Sequence, residues 1–328
     1  MFAEVVNNCK EVFIDGHTSL DPNESIDEYV SKDKVKAVFE KMDTVGTKLK
    51  SLNLNWLETE CDLDLSSLVS TSTLMNALGK LESLSLSCVR LGTNFKTEGW
   101  KSKLKSLEFW ECDSFDIDNL LHAALDSLTS LVFSRTYLNQ TQVINMVKAL
   151  DKSCKLKTFD LAGMDLRNVQ PKLLARVLVK IDAVILCGAQ IGAGQLEEIL
   201  LAINNGSQTI RILDLEEIDC LNKMDPHILA TAVNKLECFS FGGAVRLTQI
   251  QTQEIFKVMS VKTNIKFFGV EHPNFYDITV ESIAHIHTVD PETLAKALDN
   301  LDQVKLSFEK LNPTQYRAIL QRLCKKIV

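Results

Sequence analysis

The sequence predicts an α/β solenoid of short strand–helix repeats, and three observations carry that expectation. An apolar triplet spaced LxxLxL recurs eleven times along the 328 residues. Apolar residues at helical spacing follow it, as a helix packed on the strand requires. Successive copies start 40, 32, 23, 24, 28, 25, 29, 26, 29 and 36 residues apart, so short and long steps alternate through the middle of the chain. Two repeats then make one unit of about 54 residues, by the test of internal self-similarity.

In chain order the strand triplets are Cys9/Val12/Ile14, Leu49/Leu52/Leu54, Leu81/Leu84/Leu86, Leu104/Leu107/Phe109, Leu128/Leu131/Phe133 and Leu156/Phe159/Leu161. They continue as Ile181/Val184/Leu186, Ile210/Leu213/Leu215, Leu236/Phe239/Phe241, Ile265/Phe268/Val270 and Leu301/Val304/Leu306. The helices that follow are of two kinds. In the short repeats Pro171, Pro226 and Pro291 precede an apolar helix. Asp225 and Asp290 stand before their prolines as N-caps, and proline at the first helical position loses no hydrogen bond. In the long repeats a glutamine lies four residues beyond an apolar anchor, from Leu138 to Gln142, Ile191 to Gln195, Leu247 to Gln251 and Leu311 to Gln315. Helical spacing then follows, as in Val143/Met146/Val147/Leu150 and Leu196/Ile199/Leu200/Ile203.

One strand and one helix cannot bury their apolar faces alone, but stacked copies bury them against neighbours. Parallel strands spaced about 4.8 Å apart and helices spaced about 10 Å apart make such a stack bend, with the strands lining the concave face and the helices the convex one. With these triplets and steps the chain resembles the leucine-rich repeat proteins, specifically the ribonuclease-inhibitor-like class, over essentially its whole length. The resemblance implies a horseshoe of about eleven repeats. The class includes ribonuclease inhibitor, the C-terminal arrays of NOD-like immune receptors, the GTPase-activating protein for Ran and the tropomodulins. Their roles differ, so the resemblance implies recognition of another protein only in outline. One departure stands out. Where the family carries Asn or Cys three residues after the triplet, this chain has Leu57, Val89, Cys112, Thr136, Met164, Ala189, Ile218, Ala244 and Pro273. Backbone or water must then satisfy most of these turns, because an orphaned buried polar group costs ~1–3 kcal/mol.

The expected organisation is a single solenoid domain over 1–328, with rim insertions near 15–31, 62–70 and 272–288. Phe2, Val5 and Val6 are spaced like the end of a preceding helix, and neither end shows a polar cap. Contact with flanking domains or another subunit is the expectation there. The 36 basic and 43 acidic residues give a net charge of −7, which offers nucleic acid and anionic membranes no electrostatic attraction. A protein ligand, most readily a basic one, fits that charge. Nine cysteines, an odd number without a CxxC pair, suit reduced thiols and a cytoplasmic location.

Period-two alternation identifies candidates on the open strand face, taken as the third, fifth, seventh and eighth positions of LxxLxLxx. These include Trp56, Glu108, Trp110, Glu111 and Arg135, then Asp160, Asp214, Glu216, Glu217, Glu271 and His272. Trp and Arg are the favoured anchors of protein interfaces. Catalytic and cofactor readings are rejected. His285 and His287 lack a third metal ligand nearby, and the glycines of Gly188–Gly194 lack the GKS/T ending of a phosphate loop. Glu111, Asp113, Asp116 and Asp118 lack the glycine and final glutamate of a calcium loop. The expected function is a non-catalytic recognition scaffold without cofactor or metal, such as the sensing array of a larger receptor. Regulation of a small GTPase and a ubiquitin-ligase substrate adaptor are the alternatives.

Overall fold

The computed structural model describes residues 9–16, 31–44, 48–56, 63–92, 102–112, 117–136, 138–152, 155–206, 209–242, 247–261, 264–269, 283, 285–301 and 311–324. It is an α/β structure dominated by parallel strands, divided into two compact units, Met1–Asp160 and Leu161–Val328. In the first unit the main strands are β1 (Glu11–Gly16), β2 (Ser51–Trp56), β4 (Ser83–Ser87), β6 (Ser106–Trp110), β7 (Ser130–Ser134) and β8 (Thr158–Asp160), neighbours in that order. Between them run helices α1 (Lys32–Asp43), α2 (Leu65–Leu68), α3 (Thr71–Leu78), α4 (Ile117–Ala124) and α5 (Gln140–Lys152). The second unit contains α6 (Pro171–Leu178), β9 (Ala183–Ile185), α7 (Ala193–Asn204), β10 (Ile212–Glu216) and α8 (Pro226–Val233). It continues with β11 (Cys238–Gly242), α9 (Gln249–Met259), β12 (Phe267–Gly269), α10 (Pro291–Asp299) and α11 (Pro313–Cys324), and its strands are neighbours in sequence order.

The strand register matches the repeat alignment residue for residue. Val12, Leu52, Leu84, Leu107, Leu131 and Phe159 pair successively in the first unit, and Val184, Leu213, Phe239 and Phe268 in the second. All of these except Val12 are buried. The core is thus a row of equivalent side chains. Phe109 stacks on Phe133 at 5.4 Å, and Phe268 meets Phe256 of α9 edge-on at 5.6 Å, joining strand and helix layers. The insertion near 62–70 forms β3 (Leu63–Asp64), which pairs with β5 (Val89–Arg90), and the single-turn helix α2. Most of the other two insertions, the triplet at 301–306 beyond Leu301, and residues 2–6 lie outside the described residues.

The two kinds of helix have distinct structural reasons. Pro171, Pro226 and Pro291 open their helices. Asp225 accepts from the backbone of His227 and Ile228 at 2.9 and 3.0 Å, and Asp290 from Thr293 at 2.9 Å. Three of the four recurrent glutamines clamp the turn just ahead of the preceding proline helix. Gln195 Nε2 donates to the carbonyls of Leu166 and Val169, both at 2.6 Å, while its Oε1 accepts from the Gly192 N–H at 2.8 Å. Gln251 repeats this with Leu221, Met224 and Thr248, and Gln315 with Ile286, Val289 and Asn312. At these three places a short and a long repeat are tied through one buried amide.

The turns after the strands are closed by backbone, as the departures at the Asn/Cys position require. A left-handed residue follows the strand at Cys88, Glu111, Arg135, Gly163, Gly188 and Glu217. The backbone N–H of Gly163 donates to Cys187 O at 2.8 Å, that of Gly188 to Glu216 O at 2.9 Å, and that of Glu217 to Gly242 O at 3.1 Å. The next residue is buried in each case, at Val89, Cys112, Thr136, Met164, Ala189 and Ile218. Cys112 Sγ additionally donates to Trp110 O at 3.3 Å.

At the second position of the triplet, exposed charges of alternating sign stand side by side. Glu82 lies between Lys50 and Lys105, and Arg211 and Lys266 flank Glu237. Hydrogen bonds from Lys105 and Lys266 hold Glu82 and Glu237 below the usual 4.5. A carboxylate whose pKa is depressed by folding contributes stability above its unfolded pKa and loses it as the pH falls through the folded value. Stability is therefore expected to decline as the pH drops below 4.5, with a smaller decline in the E82Q/E237Q double variant. Urea denaturation at pH 6 and pH 3.5 checks this, and equal pH dependence in both proteins would contradict it. The effect is small because exposed pairs are screened.

Candidate functional site

The alternate residues of the strands form the sheet face turned away from the packed rows. In the first unit the fifth positions align as Phe13, Asn53, Ser85, Glu108, Val132 and Asp160, each paired with the next. One row along, Ser87, Trp110 and Ser134 stand side by side. Small side chains on both neighbouring strands leave the Trp110 indole 43% exposed. Ser106 Oγ donates to Glu108 Oε1 at 3.4 Å, and Arg135 Nη1 donates to Glu111 Oε1 at 3.0 Å.

Glu108, Trp110, Glu111 and Arg135 are therefore brought together on β6, β7 and the turns that follow them. Glu111 and Arg135 hold left-handed backbone, with φ of 51° and 50°, at the position where Gly163 and Gly188 stand in later repeats. Such backbone costs a residue with a Cβ about 1 kcal/mol or more. The chain keeps charged side chains where glycine would be freer. Asp160, half-buried, lies at the end of the same row, beside Val132.

Two sequence-derived candidates are corrected. Trp56 is only 2% exposed and faces the core. Strand β2 runs on through the eighth position, so period-two alternation turns Trp56 to the side of Leu52 and Leu54. In later repeats the left-handed residue breaks the alternation there, and Glu111, Arg135 and Glu217 stay exposed. Asp214 is also buried, at 1% exposure, with its Oδ1 folded back to accept from the Glu216 N–H at 2.9 Å. Its fifth-position neighbour Ser240 is buried with it, whereas Asn53, Ser85, Glu108 and Val132 at the same position in the first unit are half-buried.

Glu216 is half-buried, with its Oε2 4.0 Å from the Cys187 thiol that donates to it. Exposed Glu217 reaches over Gly188, where an added Cβ would sit 3.4 Å from its carboxylate. Glu271 and His272 lie outside the described residues. Sequence reasoning missed Phe13, which is 70% exposed at the fifth position of β1. The triplet rule that selected Glu108 selects Phe13 equally.

The remaining chemistry-bearing residues have structural surroundings. Burial pushes the Cys112 thiol up to about 11 and the Cys238 thiol up to about 12, so neither is a ready nucleophile. Cys9, Cys88, Cys112, Cys187, Cys220 and Cys238 are free thiols. Gly188 supplies a left-handed turn and Gly192 caps α7, which accounts for that glycine cluster. His285 and His287 are exposed with ring centroids 6.3 Å apart. Among the described residues no group of three or more His, Cys, Asp or Glu is placed to hold a metal ion, and no helix is long and apolar enough to cross a membrane. No protein-family model matches the chain, and no curated protein matches it.

Proposed function

We propose that the chain is a non-catalytic protein-recognition scaffold of the leucine-rich-repeat kind, ribonuclease-inhibitor-like in class, whose strands line the concave side of a horseshoe. A repeat-like α/β fold with parallel, in-register strands supports the architectural part. The single observation that carries the functional part is Trp110, an exposed indole on a floor of serines, ringed by Glu108, Glu111 and Arg135. A large aromatic among charges is the composition of an interface anchor, and its truncation in a central position costs ~2 kcal/mol or more of binding. The partner is a protein that offers positive charge, and the setting is the cytoplasm, as the sensing array of a larger receptor.

The test is affinity capture from the native source with wild-type and Trp110→Ala chains, followed by titration of the recovered partner. Trp110→Ala is expected to weaken the partner about tenfold or more while the melting temperature stays within a degree or two of wild type. Unchanged affinity in a W110A chain of intact stability would overturn the assignment.

A further inference from the structure

We propose that the sheet face of the first unit takes an extended segment of a partner protein laid across its strands. An apolar side chain of the segment rests on Phe13, and a lysine or arginine four residues along reaches Glu108 and Trp110. The proposal rests on the recognition reading above and names the chemistry of the ligand.

Geometry sets the spacing. Phe13 and Glu108 occupy one row, separated by Asn53 on β2 and Ser85 on β4. They are three strand spacings apart, about 14 Å at about 4.8 Å each. An extended peptide advances about 3.4 Å per residue and alternates its side chains, so residues four apart point to the same side at about the same 14 Å. Three or five residues would put the second side chain on the wrong face.

Chemistry sets the occupants. Phe13, at 70% exposure, offers an apolar surface on a strand at the end of the sheet order. Asn53 and Ser85 each carry both a donor and an acceptor, which suits the N–H and C=O groups of a peptide backbone passing over them. At the far end, Arg135 answers Glu111, while among the described residues Glu108 is met by the Ser106 hydroxyl and by no cation. A carboxylate beside an exposed indole face is a setting for a cationic side chain, whose stem packs on the ring while its head pairs with the carboxylate. The retained charges at left-handed Glu111 and Arg135 border this end.

The probes are fluorescein-labelled twelve-residue peptides carrying one leucine and one arginine, two to six residues apart, in a serine/threonine background. They are titrated by anisotropy against the full chain at low ionic strength. The spacing of four is expected to bind about fivefold or more tighter than three or five. Phe13→Ala and Trp110→Ala are each expected to weaken it about tenfold. Glu108→Gln is expected to remove the preference for arginine over citrulline, and circular-dichroism melting curves show each variant folded. Binding indifferent to spacing, or untouched by F13A, overturns the proposal. So does F13A-sensitive self-association in sedimentation, which would make a second copy of the chain the occupant. If no peptide binds while the native partner still depends on Trp110, this inference falls and the recognition reading stands. If neither depends on Trp110, both fall.

Discussion

Gln251→Leu is expected to destabilise the second unit by about 3 kcal/mol or more, although leucine fills similar volume and the residue touches no candidate binding surface. The substitution strands two buried carbonyls, those of Leu221 and Met224, and removes the acceptor of the half-buried Thr248 N–H. Each orphaned group costs ~1–3 kcal/mol, against a total stability of roughly 5–15 kcal/mol for an ordinary protein. Gln251→Glu separates the polar contribution from packing. A carboxylate there has no proton to give to two carbonyl oxygens, so folding raises its pKa above the ordinary ~4.3. A group with a raised folded pKa contributes fully below its unfolded value and loses that contribution as the pH rises through the folded one. The Q251E deficit is therefore expected to grow between pH 4 and pH 7, whereas that of Q251L stays nearly constant. Urea unfolding at both pH values checks this, and parallel losses in the two variants would refute the amide clamp.

Phe239→Ala is expected to cost ~3–5 kcal/mol, the range for emptying a buried aromatic site. Its ring is fully buried and lies 5.4 Å from that of Phe241 and 6.1 Å from that of Phe268. In a repeat array each repeat is stabilised mainly by its neighbours, so the loss should show first in the paired strands β10, β11 and β12. Amide hydrogen exchange in those strands is the readout. Phe13→Ala is the matched control, because the same side chain at 70% exposure should cost within ~0.5 kcal/mol. Equal losses for the two variants would contradict the assignment of the inner and outer rows.

The repeat register was legible because it depends only on local spacing. Leu84, Leu107, Leu131 and Phe159 align in the sequence as they pair in the sheet. The proline helices were equally legible, since Asp225 and Asp290 cap through bonds to residues two or three positions on. The recurrent glutamine was visible as a pattern, but its cause was not. Gln195 acts on Leu166 and Val169, 29 and 26 residues away, and only stacking brings that turn to its amide.

The candidate face shows the same division. Alternation puts half-buried Glu108 and exposed Trp110 on the outer face and, applied to β1, exposes Phe13. It was stretched too far at the eighth position. Whether that residue continues the strand, as Trp56 does, or turns left-handed, as Glu111 and Arg135 do, is settled by backbone conformation and not by residue type. The burial of Asp214 was likewise invisible, because a carboxylate at an outward position reads as solvated unless its bond to Glu216 is known.

The sequence by itself thus determined the strand–helix repeat, its register, its two alternating kinds and its acidic balance, since periodicity and composition are properties of the chain alone. Only the tertiary structure decided that Glu108, Trp110, Glu111 and Arg135 form one patch and that Trp56 and Asp214 are buried. It also decided that single glutamines join one repeat to the next. Those outcomes depend on which strand lies beside which and on the φ of the residue that follows it, and neither is encoded within one repeat.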